Sequence, residues 1–187
     1  MKNTEDFKQI SGATPAEVWQ QVAQDLKSQP ELLQYSAILN QGAHSVVLDI
    51  DIDLGGGFES GFATTILSAR FANPHGLSFA VYPQHFTDGL GKLFGMQDVV
   101  LGYPDFDEKL IVKGTHENLL PPLFADATVR QALLQLTEFT FEINLPDDAH
   151  DEAVLELFIE EGITNPARLE QLYHAFVSVL DKLSTLG

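Results

Sequence analysis

Cysteine is absent from the 187-residue chain. That excludes disulfides, thiolate metal sites and a cysteine nucleophile. Basic side chains are scarce: 10 Lys and Arg stand against 27 Asp and Glu, a formal net charge of -17. Residues 28–69 and 131–167 hold no Lys or Arg, and the second stretch carries nine acids. Phosphate backbones are held by clustered cations, so nucleic acid is not expected as a partner. An anionic membrane surface is disfavoured for the same reason. No apolar run approaches the roughly 20 residues of a membrane-spanning helix. Residues 1–7 lack the apolar stretch of a secretory signal. These absences lead to the expectation of a soluble cytoplasmic protein. Acidity is explained by solubility alone; the sharper reading is a basic protein partner.

What the chain does contain is enough for one core. Hydrophobic side chains make up 44% and charged ones 20%, ordinary values for a globular domain. A domain of roughly 150 residues buries about 70% of its unfolded surface and needs no staples. Thr14-Pro15-Ala16-Glu17 is a capping box with proline at the first helical position. Val18, Val22 and Leu26, with Trp19 and Ala23, give that helix an apolar stripe, and it should end before Pro30.

From Leu33 the period changes to two. Residues 46–54 read V-V-L-D-I-D-I-D-L. This predicts a strand with Leu48, Ile50, Ile52 and Leu54 on one side and Asp49, Asp51 and Asp53 on the other. Asn40-Gln41-Gly42 predicts a hairpin turn from a strand near 33–39. A long strand is expected over 62–71, a turn at Asn73-Pro74-His75-Gly76, and a returning partner over 77–82. The first half therefore reads as a meander.

Residues 109–113 read as a short strand closed by Gly114. Two short helical pieces follow, separated by Pro121-Pro122, and Asp126 caps the second. Residues 138–145 alternate, with Phe139, Phe141, Ile143 and Leu145 inward, and a partner strand is expected over 154–160, ended by Gly162. Asn165-Pro166 opens a last helix. Its stripe, running from Leu169 through Tyr173, Phe176 and Leu180 to Leu183, is too wide to be left in water.

The middle of the chain is punctuated by glycine. It reads Leu90-Gly91-Lys92-Leu93-Phe94-Gly95-Met96-Gln97-Asp98-Val99, then Gly102, Phe106-Asp107 and Ile111-Val112-Lys113-Gly114. This pattern resembles one that recurs in uncharacterised bacterial proteins, a family of unknown function. The likeness is centred on residues 90–114 and runs from about residue 68 onward. The resemblance implies a natural folding unit. It brings no activity, cofactor or catalytic residue with it.

Few clusters carry chemistry. Asp49, Asp51 and Asp53 lie roughly 7 Å apart along one strand face. Carboxylates so spaced could hold Ca²⁺ or Mg²⁺ if a second strand supplied ligands; a solvated sheet face is the plainer reading. A calcium loop needs glycine at its sixth position and glutamate at its twelfth, where this chain has Leu54 and Ser60. The six histidines form no H-x-H or H-x-x-x-H pair. His85, three residues before Asp88, leaves a His–Asp contact to test. The candidate metal ligands are thus Asp49, Asp51, Asp53, His85 and Asp88. Gly89-x-Gly91-Lys92 lacks the spacing of a phosphate loop, and residues 57–61 lack that of a nucleophile elbow. No catalytic residue and no cofactor is assigned.

The sequence thus predicts an α+β fold. Residues 1–12 form a flexible arm and residues 13–187 a single domain. Its one mainly antiparallel sheet has about six or seven strands, with helices largely on one face and the acids lining the wet face. The expected function is a non-catalytic binding or assembly module, with a protein partner or a homodimer. The alternative is a small-ligand- or divalent-metal-binding enzyme whose site is scattered in sequence. Gel-shift titrations at about 50 mM salt, the most permissive condition, should show no binding of DNA or RNA; micromolar, salt-sensitive binding there would contradict the charge argument.

Overall fold

A computed structural model describes residues 7–29, 31–56, 60–85, 96–145 and 152–186. Among the described residues run nine strands: β1 (Lys8–Gly12), β2 (Gln34–Gln41), β3 (His44–Asp53), β4 (Phe62–Ala72), β5 (Phe79–Pro83), β6 (Gln97–Asp98), β7 (Leu110–Gly114), β8 (Phe139–Asn144) and β9 (Glu152–Ile159). The helices are α1 (Pro15–Ser28), α2 (Pro104–Asp107), α3 (Leu120–Leu123), α4 (Ala127–Leu134) and α5 (Pro166–Thr185), with a 3₁₀ turn at Glu117–Leu119. All nine strands join one mixed sheet in the order β1-β2-β3-β4-β9-β8-β5-β7-β6. β1 runs parallel to β2, and the other neighbours are antiparallel.

The fold is α+β as expected, but the sheet is larger than six or seven strands. β1 lies in the segment read as an arm. Only Ile10 of its five residues is apolar and buried, too little alternation to reveal a strand. β6 has two residues. At the β1 edge, Gln21 Nε2 donates to the Ser11 carbonyl at 2.9 Å.

The meander holds for β2, β3 and β4 and then stops. β5 does not return along β4. It pairs with β7 and β8, while β9 takes the place beside β4. The turn that redirects the chain is organised by Asn73, whose side chain both donates to and accepts from the backbone of Leu77. Pro121 and Pro122 do not separate two helices either; they sit inside α3, in its first turn, where proline's missing N–H costs nothing. At two strand ends, the inward alternation fails: Leu54 is 78% and Leu145 52% exposed.

The helices cover one face. α1, α4 and α5 each start at a cap read from the sequence: Thr14 accepts from the Glu17 amide, Asp126 from Thr128 and Asn165 from Arg168. α5 buries Leu169, Leu172, Tyr173, Phe176, Leu180 and Leu183. Burial, and then the nearby Asp181 carboxylate, pushes the Tyr173 phenol up to about 12; its hydroxyl donates to Gln41 Oε1 at 3.0 Å.

The link from β9 into α5 is fixed by a buried hydroxyl. Thr65 Oγ1 donates to the Glu161 carbonyl at 2.7 Å and accepts from the Ile163 amide at 2.9 Å. Gly162 lies between these two bonds, and a Cβ there would run into the Ile52 side chain. A side chain at this position would therefore force Ile52 to move.

Phe176 is 1% exposed and its ring lies 6.0 Å from that of Phe141. Phe176→Ala should lower stability by about 3–5 kcal/mol in denaturant melts. The midpoint should not change with protein concentration. A loss under about 1 kcal/mol would remove the residue from the core, and a concentration-dependent midpoint would move the stripe to a subunit interface.

Candidate functional site

Strand side chains alternate between faces. The positions opposite to the core stripe therefore build a second surface, away from the helices. One row crosses the sheet as Ser36, Asp49, Ile66, Phe158 and Thr140, from β2 through β3, β4 and β9 to β8. The next row runs Ile38, Val47, Ser68, Glu156, Glu142, Ala80, Lys113 and Asp98. From β2 to β8 all these residues are half-buried. At β5 this second surface closes over: Ala80 and Tyr82 are 1% and 2% exposed.

This face mixes apolar side chains (Ile38, Val47, Ile66, Phe158) with hydroxyls (Ser36, Ser68, Thr140) and acids (Asp49, Glu142, Glu156). Ile66 and Phe158 are direct neighbours, and Asp49 stands beside Ile66. Asp49 accepts a short hydrogen bond from Ser36 Oγ, and Asp51 accepts from Gln34 Nε2 at 3.1 Å. Asp53 accepts from the Gly55 amide at 2.9 Å and so fixes the turn after β3. Across from the three aspartates stand Ile66, Thr64 and Phe62, none of which is a carboxylate. Among the described residues no three His, Cys, Asp or Glu side chains stand close enough to share a metal ion. His85 is exposed in the turn after β5. Asp88, the glycines at 89 and 91, Lys92 and residues 57–59 lie outside the described residues.

One feature of the face was not read from the sequence. Glu142 and Glu156 stand directly opposite each other on β8 and β9. Like charges so placed destabilise a sheet. Further along the same row, Lys113 Nζ lies 3.3 Å from Asp98 Oδ1.

A second polar cluster sits where β3 begins and α5 ends. His44 Nε2 lies 2.6 Å from Asp181 Oδ1, and Arg70 Nη1 lies 3.6 Å from Glu152 Oε2. His44, Arg70 and Glu152 line an open cleft of about 330 Å³ together with Phe71 and Ser184. Serine, histidine and aspartate meet here, but not as a triad. Nucleophilic serine must donate to the histidine ring, and Ser184 Oγ donates to the Leu180 carbonyl at 2.9 Å instead. His44 and Arg70 each already face a carboxylate.

The segment that carries the family resemblance is structural wherever it is described. Asp107 accepts the amides of Leu101, Gly102 and Tyr103 at 2.9–3.0 Å. Gly102 has φ +84, a conformation that favours glycine. Phe106 is fully buried. A Cβ on Gly114 would meet Leu120 Cδ1 at 2.5 Å. Arg130 lies 3.9 Å over the Tyr103 ring and donates to the Phe124 and Ala125 carbonyls. These residues hold a loop against the sheet.

Comparison of the chain with protein-family models, with curated proteins and with solved structures finds no match.

Removing one charge of the opposed pair should relieve the repulsion. Glu142→Gln is expected to raise stability by about 0.2–1 kcal/mol in denaturant melts at neutral pH and low salt. The gain should shrink as salt is added. A destabilised variant would mean that the Glu142 charge is compensated in the folded protein.

Proposed function

We propose that this protein is a non-catalytic binding module that recognises another protein through the open face of its sheet. The observation that carries the reading is the pairing of Ile66 and Phe158 in mid-sheet, on the side that the helices leave uncovered. Apolar residues grouped at the centre of a polar surround are the usual make-up of an interaction surface. Hydroxyls and acids such as Thr140, Ser68, Asp49 and Glu156 supply the polar surround. No part of this arrangement needs a cofactor.

The alternative is a small-ligand- or divalent-metal-binding enzyme with a site scattered in sequence. The cleft beside His44 and Arg70 favours its small-ligand form, since it gathers polar side chains from β3, β4, β9 and α5. Its metal form would draw on Asp49, Asp51, Asp53, His85 and Asp88. A thermal shift of several degrees with Ca²⁺ or Mg²⁺ that Asp51→Asn removes would support the metal form.

The binding reading is tested in cells with a photo-reactive phenylalanine analogue at position 158, compared with the same analogue at exposed position 117 on the helix side. A discrete protein adduct from position 158 and none from position 117 is the expected result. Equal labelling from both positions, or none from position 158, would sink the reading.

A further inference from the structure

We infer that a polar stripe on α1 closes the free edge of the sheet, holding β1 in place and keeping it from pairing with β1 of a second copy.

Among the described residues β1 pairs with β2 alone and ends the strand order. A strand so placed presents amides and carbonyls without a ladder partner, a template for edge-to-edge pairing. Its apolar hold on the molecule is slight, since Ile10 is the one buried residue of its five.

The edge is met by α1. Glu17, Gln21 and Asp25 follow at intervals of four, so they lie along one side of the helix. Each reaches β1 or the residue just after it. Glu17 Oε2 accepts from the Ala13 amide at 2.8 Å. Gln21 Nε2 donates to the Ser11 carbonyl at 2.9 Å. The Asp25 carboxylate accepts from Lys8 Nζ at 2.6 and 2.5 Å. The contacts run in opposite order, 17 to 13, 21 to 11 and 25 to 8, so the helix lies antiparallel along the strand. Gly12 permits the approach: a Cβ there would lie 2.9 Å from both Glu17 Cβ and the Val18 nitrogen. Asp25 also accepts from the Tyr35 hydroxyl at 3.1 Å, which ties the stripe to β2.

The Ser11 bond is the one that an added strand must break. It satisfies a backbone acceptor in mid-strand from within the molecule, by an exposed side chain whose polar end has no part in the core. With that bond gone, the Ser11 carbonyl is an acceptor for the N–H of another chain. A second copy carries the same edge. Two β1 strands related by a two-fold run antiparallel, so their pairing joins two sheets into one and closes the assembly as a dimer.

The test removes the donor and then restores it. Gln21→Ala leaves the Ser11 carbonyl free, and Gln21→Lys supplies a donor on a side chain of similar reach. Alanine and lysine are both good helix formers and position 21 is exposed, so each variant keeps the fold, which circular dichroism verifies. In sedimentation velocity over a concentration series, Gln21→Ala should self-associate at least about tenfold more tightly than the parent, and Gln21→Lys within about twofold of it. Hydrogen exchange in residues 8–12 of Gln21→Ala should slow as its concentration rises. Folded Gln21→Ala that associates no more tightly than the parent overturns the inference. Association that leaves exchange in residues 8–12 unchanged also overturns it, because the contact then lies elsewhere. Equal association by Gln21→Lys overturns it too, since the donor to Ser11 would then be irrelevant.

Discussion

Phe141 holds three parts of the molecule to one point. Its ring lies 5.6 Å from Phe79 on β5, 6.3 Å from Phe124 at the end of α3 and 6.0 Å from Phe176 on α5. Phe79 and Phe106 in turn approach Phe124 at 5.5 and 5.7 Å. Edge-on and tilted ring pairs of this kind add to what burial alone contributes. Because the rings come from β8, β5, α2, α3 and α5, the sheet and its helical layer cannot separate without breaking the cluster.

Local chemistry was legible in the sequence. Thr14, Asp126 and Asn165 cap their helices as their side chains dictate, and Pro15 and Pro166 occupy first-turn positions. The alternation of β3 and β8 gave their buried sides directly. What could not be read was adjacency. β5 follows β4 in sequence and its turn residues look like those of a hairpin, yet β9 competes for the same edge and takes it. Strand order is decided by which pairing completes the core, and that depends on residues far along the chain.

The same limit governs the functional reading. The acids of β3, β8 and β9 were expected on the wet face, and Asp49, Asp51, Glu142 and Glu156 are there. That Glu142 opposes Glu156 depends on the register between two strands, which alternation within either strand does not determine. The His44–Asp181 contact joins residues 137 apart in sequence, and no local pattern announces it. Conversely, Asp53 owes its place in an eye-catching acidic run to the turn it closes with Gly55.

The position of β9 between β4 and β8 has a bearing on how the chain reaches this fold during synthesis. β2, β3 and β4 can zip together from neighbouring sequence, but β4 then presents an unpaired edge. That edge stays open until residues 152–159 have been made, and α5, which packs against β4, is made later still. Pairings that close such long loops are slow to form. A growing chain therefore carries an exposed sheet edge and an uncovered apolar face through the synthesis of residues 73–151. Folding is completed from the C-terminal side, and the nascent protein is most exposed to aggregation just before its last strand arrives.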